Sequence, residues 1–306
     1  MSGSPDLSVE IGPMKLKNPV MPASGTFGYG QEYSEFIDLN RLGAIIVKTI
    51  TLKPRVGSYP HRSTEVACGF LANIGLQNVG VERFIEEKLL YFDGIDAPLI
   101  VSIGGESVDE FVEVASTLNR QKRVNGLEVN ISCPNLDKGG MHFGVDREVT
   151  KDLVTRVRDV TEKGLIVKLT PMVTDIRPFA EICQQCGADG VSLINALVGM
   201  AIDIKTRRSK LGRNTTGGLA GPAIKPLALY LVWQAGKTVD IPVIGIGGIS
   251  SAEDAIEFFI AGASAIEIGT WNFVNPIITM EIIDGIESYM VENEINSLTE
   301  LIGTIS

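Results

Sequence analysis

"PVIGIGGISSAEDAIEFFIAGASAIEIGT", residues 242–270, carries the alternation on which the fold turns. An apolar run at 243–245 gives way to Gly247 and Gly248. Ser250 or Ser251 then opens a helical pattern over 252–260, and a second apolar run follows at 265–268. Both runs are nearly continuous rather than alternating, as expected of strands buried on both faces. Strand, helix and strand in this order make a parallel βαβ unit. Working outward, similar apolar runs stand at 19–22, 44–48, 99–103, 127–131, 165–169 and 190–193. Helical patterns separate several of them, at 81–91, 108–119, 147–162, 176–186 and 223–237, with Gly187 as a stop and Asp109 as a start. Eight units in one direction predict an α/β fold, a (β/α)8 TIM barrel, with an open doubly wound sheet as the alternative. No linker, composition shift or low-complexity tract divides the 306 residues, so one domain over 1–306 is expected. The two longest connections, 49–97 and 195–241, follow strand carboxyl ends. They should cover the C-terminal face, where barrels place their sites.

Bulk properties narrow the function. A net charge of −10 lacks the basic field that nucleic acid needs, though it leaves room for small anions bound locally. No apolar run reaches the ~20 residues of a membrane span, and residues 1–10 carry no signal-peptide pattern. With four cysteines in so long a chain, reduced thiols and a cytoplasmic setting are expected.

Three constellations carry chemistry. Gly245, Gly247 and Gly248, followed by Gly269 and Thr270, form two adjacent strand-to-helix turns of the kind that brings backbone N–H groups to a phosphate. The spacing is not the dinucleotide fingerprint, and the alternative is that these glycines merely make tight turns. Lys48 and Lys168 end apolar strands on the faces of Ala44 and Ile46, and of Ile166 and Thr170. They are read as inward cations rather than as lysines reaching for water. Glu128, Asn130 and Ser132 share a polar face that ends at Cys133. A thiol there could act as a base if its surroundings lowered its pKa, whereas pairing with His142 in a thiol acyl-transferase lacks an orienting third group. Cys183 and Cys186 fall on one helical face and read as packed side chains rather than as a redox or metal pair. Cys68 sits in a connection over the top face.

Together these residues resemble a known family. "NPVMPASGTFGYG" (18–30), "GAIIVKT" (43–49), "GLQN" (75–78), "VNISCPN" (129–135), "KGG" (138–140), "VKLTP" (167–171), "GADGVSLIN" (187–195), "TGGLAGPAIKP" (216–226), "IPVIGIGGI" (241–249) and "GASAIEIGT" (262–270) are similar to class 1 dihydroorotate dehydrogenases, nearest to the subtype 1B catalytic subunit. The resemblance implies an FMN-dependent barrel that oxidises dihydroorotate to orotate in pyrimidine biosynthesis. It implies FMN contacts from Ser24, Lys48, Thr49, Asn130, Lys168, Ile194, Gly221, Gly247, Gly248, Gly269 and Thr270, with Ser102 where a flavin-facing asparagine is common. Substrate contacts would come from Lys48, Gly75, Leu76, Asn130, Asn135 and Asn195, together with Asn73, Ile74 and Ala196. Cys133 would be the base. It further implies a homodimer, or a heterotetramer with an electron-transfer subunit carrying FAD and a [2Fe–2S] cluster. Subtype 1A would instead use fumarate.

Three positions depart from the family pattern. Ala72 stands where an asparagine is usual, with Asn73 displaced by one. Ala196 lacks a hydroxyl found there in relatives, and Ser102 replaces asparagine. Each lost hydrogen bond can cost on the order of 1–3 kcal/mol. These changes motivate a second reading, an FMN-dependent oxidoreductase of the same family acting on a different dihydropyrimidine or cyclic amide. A flavin-free lyase forming a Schiff base on Lys168, and a non-catalytic binding barrel, complete the alternatives.

Overall fold

A computed structural model describes residues 4–132 and 143–306. Eight strands form one parallel sheet: β1 (Val20–Pro22), β2 (Ile45–Ile50), β3 (Leu99–Ile103), β4 (Val124–Asn130), β5 (Gly164–Lys168), β6 (Gly190–Leu193), β7 (Val243–Ile246) and β8 (Ala265–Ile268). Each is hydrogen-bonded to the next in chain order from β2 to β8, and β8 pairs with β1. The apolar runs expected from sequence are these strands, shifted by no more than three residues at an end. They are almost wholly buried because helices cover one face and side chains fill the other.

The ring closes at β1 and β2 through a narrow seam. Gly43 N–H donates to Val20 O at 3.0 Å. Asn18 braces the same place, donating from Nδ2 to Arg41 O at 2.7 Å and accepting from Val20 N–H at 3.1 Å. A Cβ on Gly43 would lie 2.1 Å from Asn18 O, so the two backbones can approach only because residue 43 has no side chain. At the opposite, N-terminal end, a hairpin of Val9–Ile11 and Met14–Leu16 plugs the barrel. Met14 lies over Gly126 and Gly164, at the starts of β4 and β5.

The helices follow local rules. Helix α1 (Val108–Asn119) buries Phe111, Val114, Ala115 and Leu118, an i, i+3, i+4, i+7 stripe. Its cap is Ser107 rather than the expected Asp109, because Ser107 Oγ accepts from Glu110 N–H. Helix α2 (Arg147–Arg158) ends four residues short of the sequence reading. There the Arg158 guanidinium binds the carbonyls of Thr161 and Lys163 and the Asp189 carboxylate, folding the chain back toward β5. Helices α3 (Arg177–Gln185), α4 (Lys225–Gly236), α5 (Ala252–Ala261) and α6 (Ile278–Glu292) complete the ring. Pro226 lies in the first turn of α4, where its missing N–H costs nothing. The pattern at 81–91 is not one α-helix: a short turn (Val81–Arg83) passes into a π segment (Phe84–Lys88) and a 3-10 turn (Leu89–Phe92). Buried Phe84 and Leu89 stand five residues apart, a spacing that a π turn accommodates and a regular helix does not.

The two long connections do cover the C-terminal face, and they do so as a sheet. Ser63–Val66 pairs antiparallel with Gly69–Ala72 in the first, Gly69–Ala72 pairs with Gly217–Ala220 of the second, and Gly217–Ala220 pairs with Leu197–Gly199. Asn73 bonds across both, accepting from Ser58 Oγ at 2.6 Å and donating to Thr216 O at 2.9 Å.

The seam predicts a large local cost. Gly43→Ala should destabilise the fold by about 1–3 kcal/mol in denaturant unfolding, as overpacking does. Gly25→Ala, where a Cβ meets nothing within 4 Å, should be close to neutral. Equal effects would remove the seam argument.

Candidate active site

Between the barrel mouth and the capping sheet lies a cavity of about 450 Å³, within the size range of small-molecule sites. Ser24, Thr49, Asn130 and Lys168 line it from the barrel. Ile194, Asn195 and Ala196 enter after β6, and Ile74, Gly75 and Leu76 descend from the cap. Gly247, Gly248, Gly269 and Thr270 line it from the last two turns, and Gly221 from the start of α4's connection. Most residues singled out in the sequence thus meet at one place. Ala72 also lines the cavity. Cys133, Asn135 and His142 lie outside the described residues; Ser132, the last residue described before them, is buried at the mouth.

Three of the expected site residues fall off the lining. Ser102 is fully buried behind it, and its Oγ is 3.0 Å from Thr49 Oγ1. Asn73 is engaged in joining the cap. Lys48 is half-buried, and the alternation that should have turned it inward breaks at a register shift between Val47 and Ile50. Such a shift re-aims side chains, and here Thr49 takes the inward position. Burial lowers the Lys48 pKa, Arg62 adds to the effect, and Glu32 opposes it.

A chain of hydrogen bonds links the polar residues around the mouth. Asn130 Nδ2 donates to Thr49 Oγ1 at 3.2 Å, and Asn130 Oδ1 accepts from Ser132 Oγ at 2.9 Å. Asn195 Nδ2 donates to Ser132 Oγ at 2.7 Å. Each amide is thereby fixed in orientation by its neighbours, which is what presenting a planar hydrogen-bonding edge to a ligand requires.

Below them, Lys168 Nζ donates to Glu267 Oε2 at 2.8 Å and to Glu128 Oε2 at 3.3 Å. Burial works against its charge, but the two carboxylates outweigh burial and hold its pKa above the ordinary lysine value. A Schiff-base lysine needs the reverse, a depressed pKa that frees the amine, so the lyase reading finds no support here. Sequence reasoning placed Glu128 on the inward face but passed over Glu267, whose signal was a lone carboxylate within the apolar "AIEI".

The last two turns form an anion cradle. Gly247 and Gly248 have φ of 133° and 74°. A Cβ on Gly248 would lie 2.8 Å from Lys225 Cβ and 2.9 Å from Gly221 O. The N–H groups of Gly248 and Ile249 have no acceptor among the described residues, and Thr270 opens a 3-10 turn whose first N–H groups have no helical partner. Behind the cradle, Asp254 Oδ2 accepts from Ser250 N–H and Oγ at 2.8 and 2.7 Å, and Lys225 Nζ reaches Asp254 Oδ1 at 2.6 Å. Sequence reasoning missed this brace, because Lys225 and Asp254 meet only in the folded chain.

The other three cysteines differ in burial. Cys183 is buried within α3, and burial pushes its thiol pKa up, away from thiolate reactivity. Cys186 is partly buried and Cys68 exposed. No helix among the described residues is long and apolar enough to cross a membrane.

The model of the family described as "Dihydroorotate dehydrogenase" matches residues 6–290. The chain belongs to the dihydroorotate dehydrogenase family. It is 53% identical to the "Dihydroorotate dehydrogenase B (NAD(+)), catalytic subunit" of Thermoanaerobacter sp. (strain X514), over 98% of this chain and 99% of that one. The same-named proteins of Thermodesulfovibrio yellowstonii and Geotalea daltonii are 51% and 52% identical, again over 98% of this chain and 99% and 98% of theirs. Relatives of this identity and name bear out the likeness to class 1B. The barrel matches the crystal structure of DHODH in complex with ferulenol from Eimeria tenella with a TM-score of 0.82, at 24% identity, covering 98% of this chain and 88% of that one; this likeness concerns the fold.

The dihydroorotate dehydrogenase cradle gives a pH-dependent prediction. Burial opposes the charge on Asp254, but Lys225 and Ser250 outweigh it and lower its pKa. Its stabilisation is therefore present above the unfolded aspartate value of about 3.9 and is lost as pH falls through the lower folded value. Asp254→Asn should cost about 1–2 kcal/mol in unfolding experiments at pH 7, and the gap to wild type should narrow below about pH 4. A pH-independent gap would contradict the role given to the charge.

Proposed function

We propose that this chain is the catalytic subunit of a class 1B dihydroorotate dehydrogenase that oxidises dihydroorotate to orotate with FMN. The observation carrying the reading is the convergence of an anion cradle, a buried ammonium and a fixed pair of asparagine amides on one cavity at the barrel mouth. The residues present fit FMN. The turns of Gly247, Gly248, Gly269 and Thr270 offer N–H groups to its phosphate. Ile194, Ile224, Ile249 and Trp271 supply apolar walls for a flat ring. Ser24, Thr49 and Gly221 line the remaining edge.

Oxidation removes a hydride from one ring carbon of dihydroorotate and a proton from the neighbouring carbon beside a carbonyl. Bound FMN supplies the hydride acceptor. Cys133 takes the proton as the base, for which its thiolate form must be accessible. Asn130 and Asn195, with Asn135, orient the pyrimidine by its polar edge, while Gly75 and Leu76 let the cap backbone approach it. Lys168 holds positive charge at the cavity floor, where negative charge arises on reduction. Electrons would leave to NAD through a partner subunit carrying FAD and a [2Fe–2S] cluster, as the relatives' names, with "NAD(+)" and "catalytic subunit", suggest.

One observation favours a second substrate. Ala72 and Ala196 both line the cavity, so two positions at which the family resemblance implies hydrogen-bonding side chains are apolar here. A different dihydropyrimidine or cyclic amide would fit that loss.

Anaerobic mixing of the FMN-loaded protein with a panel of dihydropyrimidines tests both readings. Dihydroorotate should bleach the flavin fastest, and Cys133→Ala should slow bleaching by about 10²-fold or more, the scale of a lost general base. Faster bleaching by another member of the panel would transfer the assignment to that substrate. Bleaching at an unchanged rate in Cys133→Ala would end the role of the thiol.

A further inference from the structure

Glu267 has no part in the mechanism above, yet it occupies the interior of the barrel. It lies on β8 between Ile266 and Ile268 and is fully buried. Oε2 accepts from Lys168, while Oε1 has no hydrogen-bond partner. Glu128, on β4, is also fully buried and is better served. Its Oε2 accepts from Ser192 Oγ on β6 at 3.1 Å as well as from Lys168 on β5. The charged groups that act most on Glu267 are Glu128 and Lys168.

The charge count is decisive. Two carboxylates and one ammonium, sealed from water, would leave one uncompensated negative charge in a low-dielectric interior. That arrangement is costly enough for one carboxyl to take a proton instead. Glu128 has two donors to stabilise its charge. Glu267 has one donor and a bare oxygen, so the proton belongs there. The ionisation tendencies agree. Burial and then the Glu128 charge push Glu267 well above the ordinary carboxylate range, with Lys168 opposing. For Glu128, burial is outweighed by Lys168 and by its hydrogen bonds, and its pKa is lowered.

We propose that Glu267 is a positioning residue for flavin reduction, its carboxyl proton cancelling the second buried negative charge so that Lys168 presents a positive end to the ring. The proposal rests on the FMN reading given above. Lys168 lines the cavity and the two glutamates do not, so the Lys168–Glu128 pair is a dipole with its ammonium toward the ligand. Loss of the Glu267 proton at high pH would turn the field of the cluster negative and oppose the anionic reduced ring.

Infrared spectroscopy tests the proton without substrate or turnover. Wild-type protein at pH 7 should show the carbonyl band of a buried carboxylic acid, absent in Glu267→Gln. Glu128→Gln should also lose the band, because Lys168 then has only Glu267 to pair with and draws off its proton. A Glu267 that carries no proton in the wild type would show no band for the neighbouring substitution to remove. Reductive titration supplies the second readout. The ratio of affinities for reduced and oxidised FMN should agree within about twofold between wild type and Glu267→Gln at pH 7. At alkaline pH the wild-type ratio should fall below that of the variant by about tenfold for each pK unit of coupling. Absence of the band in wild type, its persistence in Glu128→Gln, or parallel pH profiles would overturn the proposal. A protein that shows the band but binds no FMN would refute the cofactor reading, and this role with it, while leaving the proton on Glu267.

Discussion

One ammonium held between two carboxylates, Lys168 between Glu128 and Glu267, is the constraint around which the barrel mouth is built. A charged group in an apolar barrel persists only when it is matched, and one ammonium matches one of the two carboxylates. The three residues come from β5, β4 and β8, so their meeting requires the sheet to have curled almost fully round. Register does the rest. Asn130 pairs with Lys168 and Lys168 with Ser192, which sets the mouth polar groups directly above or beside the charge cluster. A slip of one residue in β5 would turn Lys168 toward the helices and leave both glutamates without a cation.

Strand direction then separates stability from chemistry. Every barrel strand points its carboxyl end at the same cavity, while the hairpin carrying Met14 closes the other end. Apolar packing holds the lower barrel, and a hydrogen-bonded chain from Ser102 through Thr49, Asn130 and Ser132 to Asn195 holds the upper rim. The capping sheet completes the enclosure. Its strands are joined by backbone pairing and by Asn73 rather than by a large core, as suits a cover over a binding site.

Much of this was legible in residues that obey local rules. The eight apolar strands, the helix over 108–119 and the glycine turns after β7 and β8 each follow from periodicity, caps or turn chemistry. What escaped was set by contacts distant in sequence. The capping strands are short and three of the four contain glycine, and Gly69–Ala72 has one of its two partners almost 150 residues away. The inward turn at Thr49 instead of Lys48 depends on a register break between two strands, which strict alternation cannot foresee. Lys168 was read as a free inward cation. Its two carboxylate partners emerge only when β4, β5 and β8 face one another. The family resemblance named most of the cavity lining, but it had nothing to say about Glu267 or about Lys225 bracing Asp254.

In the proposed reading, one cavity holds a flavin between the glycine turns and the buried lysine. An electron-density map of the purified protein with FMN added would show whether it does. Phosphate density is expected at the N–H groups of Gly248 and Thr270, with the ring in the cavity and a polar edge within hydrogen-bond reach of Lys168 Nζ. Phosphate density elsewhere, or a ring lying outside the cavity beyond reach of that ammonium, would contradict it.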